Sequence, residues 1–197
     1  YHDLHIPLSV IVIDYFHWPK QGDFKFDKRY FPNPEKMVKD LKRLNVELMV
    51  SVWPNIDCTS ENYNEMNEKG YLVRVDNGKS ITMTFHGNTT FFDTTNPKAR
   101  RFVWDKIKRN YYQKEVKHFW LDEAEPEYST YDFDNYRLHL GRNSQVGNIY
   151  PTLYAKGFYE GEKKEGQHNP ISLIRSAWAG SQKYGSLVWS GDIDSSF

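Results

Sequence analysis

Lys117 to Glu127 reads KHFWLDEAEPE. His118, Phe119, Trp120 and Leu121 make a short apolar run of the kind that forms a strand buried on both faces. The run breaks off at Asp122 into Glu123, Glu125 and Glu127, with Pro126 stopping the strand. Such an ending places an acid at a strand tip, and in a barrel of parallel strands each followed by a helix the C-terminal tips carry the catalytic groups. Crowded carboxylates repel, so at least one of these acids is expected to be protonated or hydrogen-bonded. Taken alone, the cluster fits a solvated loop or a structural ion network equally well.

Working outward, the preceding segment begins at Asn96-Pro97, an N-cap followed by a first-turn proline. Ala99, Val103, Ile107 and Tyr111 then recur at four-residue steps, which predicts a helix leading into HFWLD. The same device opens an earlier helix, with Asn33 as cap, Pro34 at the first position and Glu35 in the first turn. Met37, Val38, Leu41 and Leu44 form its apolar stripe. Before it, Leu8 to Phe16 (LSVIVIDYF) is β-branched and continuous, which predicts a central strand covered on both faces. A second strand is expected over Glu47 to Trp53, ended by Pro54. A strand, helix and second strand at this spacing suit a right-handed βαβ unit. On the C-terminal side, Val146 to Gly161 reads as a helix with Tyr150, Leu153, Tyr154 and Phe158 on one face. ISLIR follows Pro170 as a further strand ending at Arg175. The repeating pattern predicts α/β class, part of a (β/α)8 barrel.

The stretches between are less regular. Trp18 to Tyr30, with Pro19 and Gly22, is expected as a loop on the rim of the site. Ser60 to Lys69 reads as a helix ending at Gly70. The segments Tyr71 to Val75 and Ser80 to Thr84 flank Asp76-Asn77-Gly78-Lys79, which predicts a β-hairpin over residues 71–84 inserted into a βα loop. The tyrosine-rich segment from Tyr128 to Gly147, carrying Asp132, Asp134 and His139, is long enough for a lid or subsite wall. His86 and Asp93 have no third ligand at metal-binding spacing, so no metal role is given to them.

A second acid closes RSAWAGSQKYGSLVWSGD at Asp192. Together, WLDEAEPE and RSAWAGSQ…WSGD resemble the two active-site signatures of glycoside hydrolase family 31, the retaining α-glycosidases, and the similarity is greatest to the α-xylosidases. Most α-glucosidases of the family read closer to WNDMNEP where this chain has WLDEAEPE. The resemblance implies Asp122 as nucleophile and Asp192 as general acid/base. It also implies substrate contacts by Asp14, Phe16, Trp53, Trp120, Arg175 and Trp189, with Glu125 in support. From the residues alone, Asp14 serves equally as a loop cap, Trp53 as a core cap and Arg175 as a structural salt bridge. Neither a metal nor an organic cofactor is needed for that chemistry, and the expected partner is an oligosaccharide. Terminal α-xylose is the expected substrate, since Phe16, His17, Trp18 or Trp120 could fill the space that a glucosidase leaves for the C6 hydroxymethyl group. An α-glucosidase or an α-glycosyl transferase is the alternative within the family. A metal-dependent barrel hydrolase and a noncatalytic sugar-binding relative stand outside it.

Composition sets the remaining bounds. The 197 residues begin at Tyr1 and lead at once into a strand, whereas a whole barrel takes about 250 residues. The expectation is therefore an internal piece covering the first half to two-thirds of the barrel. The 26 basic and 26 acidic residues balance, and no basic run interleaved with aromatics suggests a nucleic-acid surface. No apolar run reaches the roughly 18 residues of a membrane span. One cysteine, Cys58, excludes an internal disulfide. Aromatic residues make up 16% of an otherwise polar chain, a store of flat apolar faces suited to pyranose rings and equally to a large core.

Overall fold

The computed structural model describes residues 1–84, 86–125 and 133–196. Pro126, Glu127 and Asp132, singled out above, lie outside them, as does the stretch from Tyr128 to Asp132. In chain order the strands are β1 (Val10–Ile13), β2 (Glu47–Val52), β3 (Asn55–Asp57), β4 (Arg74–Val75), β5 (Met83–Thr84), β6 (Asn88–Phe91), β7 (His118–Leu121), β8 (Tyr136–Leu138), β9 (Gly141–Arg142), β10 (Ser172–Ile174) and β11 (Ser186–Val188). The helices are α1 (Pro34–Arg43), α2 (Tyr63–Glu68), α3 (Pro97–Asn110), α4 (Asn143–Val146) and α5 (Tyr150–Lys164).

Five strands form one parallel sheet in the order β1-β2-β7-β10-β11, which is the strand succession of a (β/α)8 barrel left open between β1 and β11. Helices α1, α3 and α5 lie between successive strands. Both proline-started helices form where the caps predict: Asn33 accepts a hydrogen bond from the Lys36 N–H, and Asn96 accepts one from the Lys98 N–H. Ala99, Val103, Ile107 and Tyr111 are all buried. They meet Leu48, Val50 and Val52 of β2 and Phe119 and Leu121 of β7, with Tyr154 and Phe158 of α5, in a single core outside the sheet.

Several expectations are corrected. Among the described residues β1 lies at the edge of the sheet where a central strand was expected; β2 is its one partner there, and Val10, Ile11 and Val12 are 39–43% exposed. β7 is not buried on both faces: Phe119 and Leu121 enter the core, while His118 and Trp120, on the other face, are half-buried. The helix expected over Val146 to Gly161 starts at Tyr150 and runs to Lys164. Pro151 sits in its first turn, a start signal the sequence reading overlooked. Leu44 caps α1 on the surface and leaves the apolar stripe. The turn at Asp76 to Lys79 forms, with a single bridge between Arg74 and Ser80. The flanking strands pair elsewhere, β4 with β8 and β5 with β6. Residues 18–30 do not stand up as a rim. Trp18, Phe24 and Phe26 pack into the core, and Asn110 of α3 donates to the Phe24 carbonyl. Finally, the stretch between Arg175 and Asp192, for which no strand was expected, contains a fifth barrel strand, β11, which pairs in parallel with β10.

Candidate active site

Strand register decides which side chains meet. Val52, Leu121, Ile174 and Val188 lie opposite one another across β2, β7, β10 and β11. The next residue on each strand is Trp53, Asp122, Arg175 and Trp189. Side chains alternate along a strand. Since Val52, Leu121 and Ile174 are buried against the helices, the following row turns to the inner side, at the C-terminal rim. Four of the predicted site residues thus occupy one row over four neighbouring strand ends. Trp120, two residues earlier on the same face, meets the Trp189 ring edge to face at 5.3 Å.

Arg175 gathers the carboxylates that follow β7. Its Nε pairs with Glu125 and lies 3.9 Å from Asp122 Oδ1, and its Nη2 lies 3.1 Å from Glu123 Oε1. Burial lifts the Asp122 carboxyl above the usual aspartate range. The Glu123 backbone N–H and the Arg175 charge pull it back, while Glu125 and Asp14 push it further up. For Arg175 burial opposes the charge, and the hydrogen bond to Glu125 with the charges of Glu125, Glu123 and Asp122 overcomes that opposition. Beneath, Tyr154 of α5 donates its hydroxyl to the Val52 carbonyl at 3.0 Å, tying the helix to the rim of β2.

Asp192 comes four residues after β11 and is exposed. A methyl group at Gly191 would sit 3.6 Å from Cγ and Cδ of Arg175, so the Asp192 segment crosses the stem of the arginine that faces Asp122. The strand β11, absent from the sequence reading, is what carries Asp192 to the rim.

At the β1 end the predicted residues differ in exposure. Asp14 is exposed, and its Oδ1 accepts a hydrogen bond from the Tyr15 N–H at 2.7 Å. Trp53 is 5% exposed, with Tyr15 stacked on it at 4.8 Å and 21°. Tyr15, passed over in the sequence, therefore presents the open aromatic surface there. Phe16, 53% exposed, takes a left-handed φ of 63° beside it. His86 reaches the same group from the β5–β6 turn, 5.6 Å from both the Phe16 and Trp53 rings. His17 and Trp18 turn the other way and are buried. Asp93 accepts hydrogen bonds from the Thr95 N–H and hydroxyl and from the His139 N–H, which fasten the β8–β9 turn to the start of α3. Among the described residues no three His, Cys, Asp or Glu side chains come together as a metal-ligand set.

Comparison with known proteins settles the family. The profile of the glycosyl hydrolases family 31 TIM-barrel domain matches residues 1–197. The chain belongs to glycosyl hydrolase family 31. A family 31 relative, the "Uncharacterized family 31 glucosidase ORF2" of Pseudescherichia vulneris, is 53% identical over all of this chain and 37% of its own length. Alpha-xylosidase A of Aspergillus niger is 35% identical over 99% of this chain and 30% of its own length. Among family 31 structures, an alpha-xylosidase from a soil metagenome complexed with xylose is 58% identical and superposes with a TM-score of 0.95, over 100% of this chain and 29% of that one. The chain thus spans about a third of the length of these family 31 relatives.

Proposed function

We propose that this domain supplies both catalytic carboxyl groups of a retaining α-glycosidase that releases terminal α-linked xylose from an oligosaccharide. The observation that carries this reading is the row of strand ends. It sets Asp122 beside Arg175 on the inner rim and passes the Asp192 segment over that same arginine. A retaining glycosidase needs two carboxyl groups about 5–5.5 Å apart in different protonation states. Asp122, held on β7 next to a cation, serves as the ionised nucleophile. Asp192, on the segment above, serves as the acid.

In the first step the Asp122 carboxylate attacks the anomeric carbon from below. The bond to the leaving oxygen breaks, and that oxygen takes the Asp192 proton, leaving a glycosyl ester on Asp122. In the second step the Asp192 carboxylate removes a proton from water, whose oxygen displaces Asp122 and restores the original anomeric configuration. Arg175 opposes protonation of Asp122 throughout. Trp120, Trp189 and the Tyr15–Phe16 pair offer apolar faces to the sugar.

Xylose is favoured over glucose on the ground of Phe16. Of the four side chains able to fill the C6 space, His17 and Trp18 face the core, while Phe16 and Trp120 remain toward the open side. Treating the full-length enzyme with a fluorinated α-xylosyl fluoride is expected to label the peptide containing Asp122. Label on another residue would refute the assignment. Faster turnover of an aryl α-glucoside than of the aryl α-xyloside would overturn the choice of sugar.

A further inference from the structure

Glu123 directly follows the proposed nucleophile, and nothing in the proposed chemistry uses it. It is nonetheless 5% exposed, where a glutamate is found only when paired. Its φ is 52°, a left-handed value uncommon outside glycine. Non-glycine residues held there cluster at sites the surrounding structure has fixed for a reason. Here the cause lies in the neighbours. The chain reverses at Glu123, buries Ala124 completely and returns Glu125 to the same arginine that Glu123 meets. Three carboxylates from four consecutive residues converge on one guanidinium, which an extended conformation at Glu123 would not allow.

We propose that Glu123 is a positioning residue for the glycosidase reaction: its left-handed backbone folds the segment back beneath Asp122, and its carboxylate occupies the Nη2 edge of Arg175, so that the arginine's charge is divided and not given wholly to the nucleophile. The inference rests on Asp122 being that nucleophile. A carboxylate wholly paired with a guanidinium is stabilised in the ground state and attacks less readily. One left unpaired beside Glu125 and Asp14 would hold its proton. Division of the Arg175 charge among Asp122, Glu123 and Glu125 lies between these extremes. The charged and titratable groups that act on Asp122 or are acted on by it are Glu123 and Glu125 on its own segment, Arg175 from β10, Asp14 from β1 and Tyr154 from α5.

Removing the Glu123 charge returns more of Arg175 to Asp122, which then ionises at lower pH. The pH profile of kcat/KM for an aryl α-xyloside should be measured on the full-length wild type, on Glu123→Gln and on Glu123→Gly. Glutamine keeps the shape and hydrogen bonding without the charge, and glycine keeps the left-handed turn without the side chain. In both variants the acid limb is expected to move down by about half to one pH unit, with kcat reduced several-fold and KM little altered. A Glu123→Gln enzyme whose acid limb stays in place or moves up overturns the proposal, whatever the glycine variant does. Locating the fluoro-sugar label separates the two levels. Label on Asp122 with an unmoved limb rejects only the role of Glu123, and label elsewhere rejects the catalytic assignment beneath it.

Discussion

At the scale of the residue, the site is built from side chains that only become neighbours because adjacent strands end level. Phe16, proposed above to fill the C6 space, gives a test at this scale. Shortening a side chain that blocks a pocket changes discrimination by the worth of the apolar contacts removed, about ten-fold or more for a group of this size. Phe16→Ala is therefore expected to raise the ratio of kcat/KM for aryl α-glucoside over aryl α-xyloside by about ten-fold or more, and an unchanged ratio would remove Phe16 from specificity. Glu162 carries a different consequence. It is completely buried on α5, neither carboxyl oxygen has a hydrogen-bond partner among the described residues, and burial pushes its pKa up to about 8, with Lys117 pulling the other way. Since the folded value lies above the unfolded one near 4.5, its contribution to stability is fully present below pH 4.5 and is lost as pH rises toward 8. At pH 7 the loss is about 3 kcal/mol. Glu162→Gln should flatten that slope, so that the thermal stability of the variant relative to wild type increases from pH 5 to pH 8.

At the scale of the element, contacts between helices and loops hold the strand ends in place. His17 donates Nδ1–H to the Asp14 carbonyl at 2.8 Å and accepts the Tyr111 hydroxyl at Nε2 at 2.9 Å, joining the tip of β1 to the end of α3. Burial lowers its pKa to about 4, against the bond to Asp14, which raises it. The folded value is below the unfolded 6.5, so this contribution is present above pH 6.5 and is lost as pH falls toward 4, by about 3 kcal/mol in all. Urea titrations of wild type and Tyr111→Phe at neutral pH should differ by about 1–2 kcal/mol, because the variant leaves a buried ring nitrogen without its donor. The packing of α3 on α5 is equally specific. A methyl group at Gly161 would fall 2.2 Å from Trp104 Cδ2, so Gly161→Ala is expected to destabilise by about 1–3 kcal/mol through overpacking. An alanine variant that melts with the wild type would mean that the two helices have room to separate. The sequence showed α1 and α3 through their Asn-Pro caps. It hid β11, whose three residues are half-buried or exposed and give no continuous buried run to read.

At the scale of the whole molecule, five parallel strands leave both sheet edges unpaired among the described residues, with Val10, Ile11 and Val12 exposed at one edge and Leu187 and Val188 at the other. Residues 1–197 expressed alone are expected to aggregate and to lack activity, because unpaired edges and uncovered apolar faces invite association. A monodisperse, active preparation of that length would contradict this. The apolar runs and the caps marked the helix and strand types along most of the five-stranded sheet, since burial against one layer of helices demands a periodicity that is written locally. The two acidic signatures, through their resemblance to family 31, singled out Asp122, Arg175 and Asp192. Sequence alone could not tell that Asp14 lies in the open, that His17 and Trp18 face inward or that Trp53 lies under Tyr15. Those outcomes depend on which neighbour each strand end meets and on the direction in which the chain turns after it, and both are properties of register and of packing between distant segments.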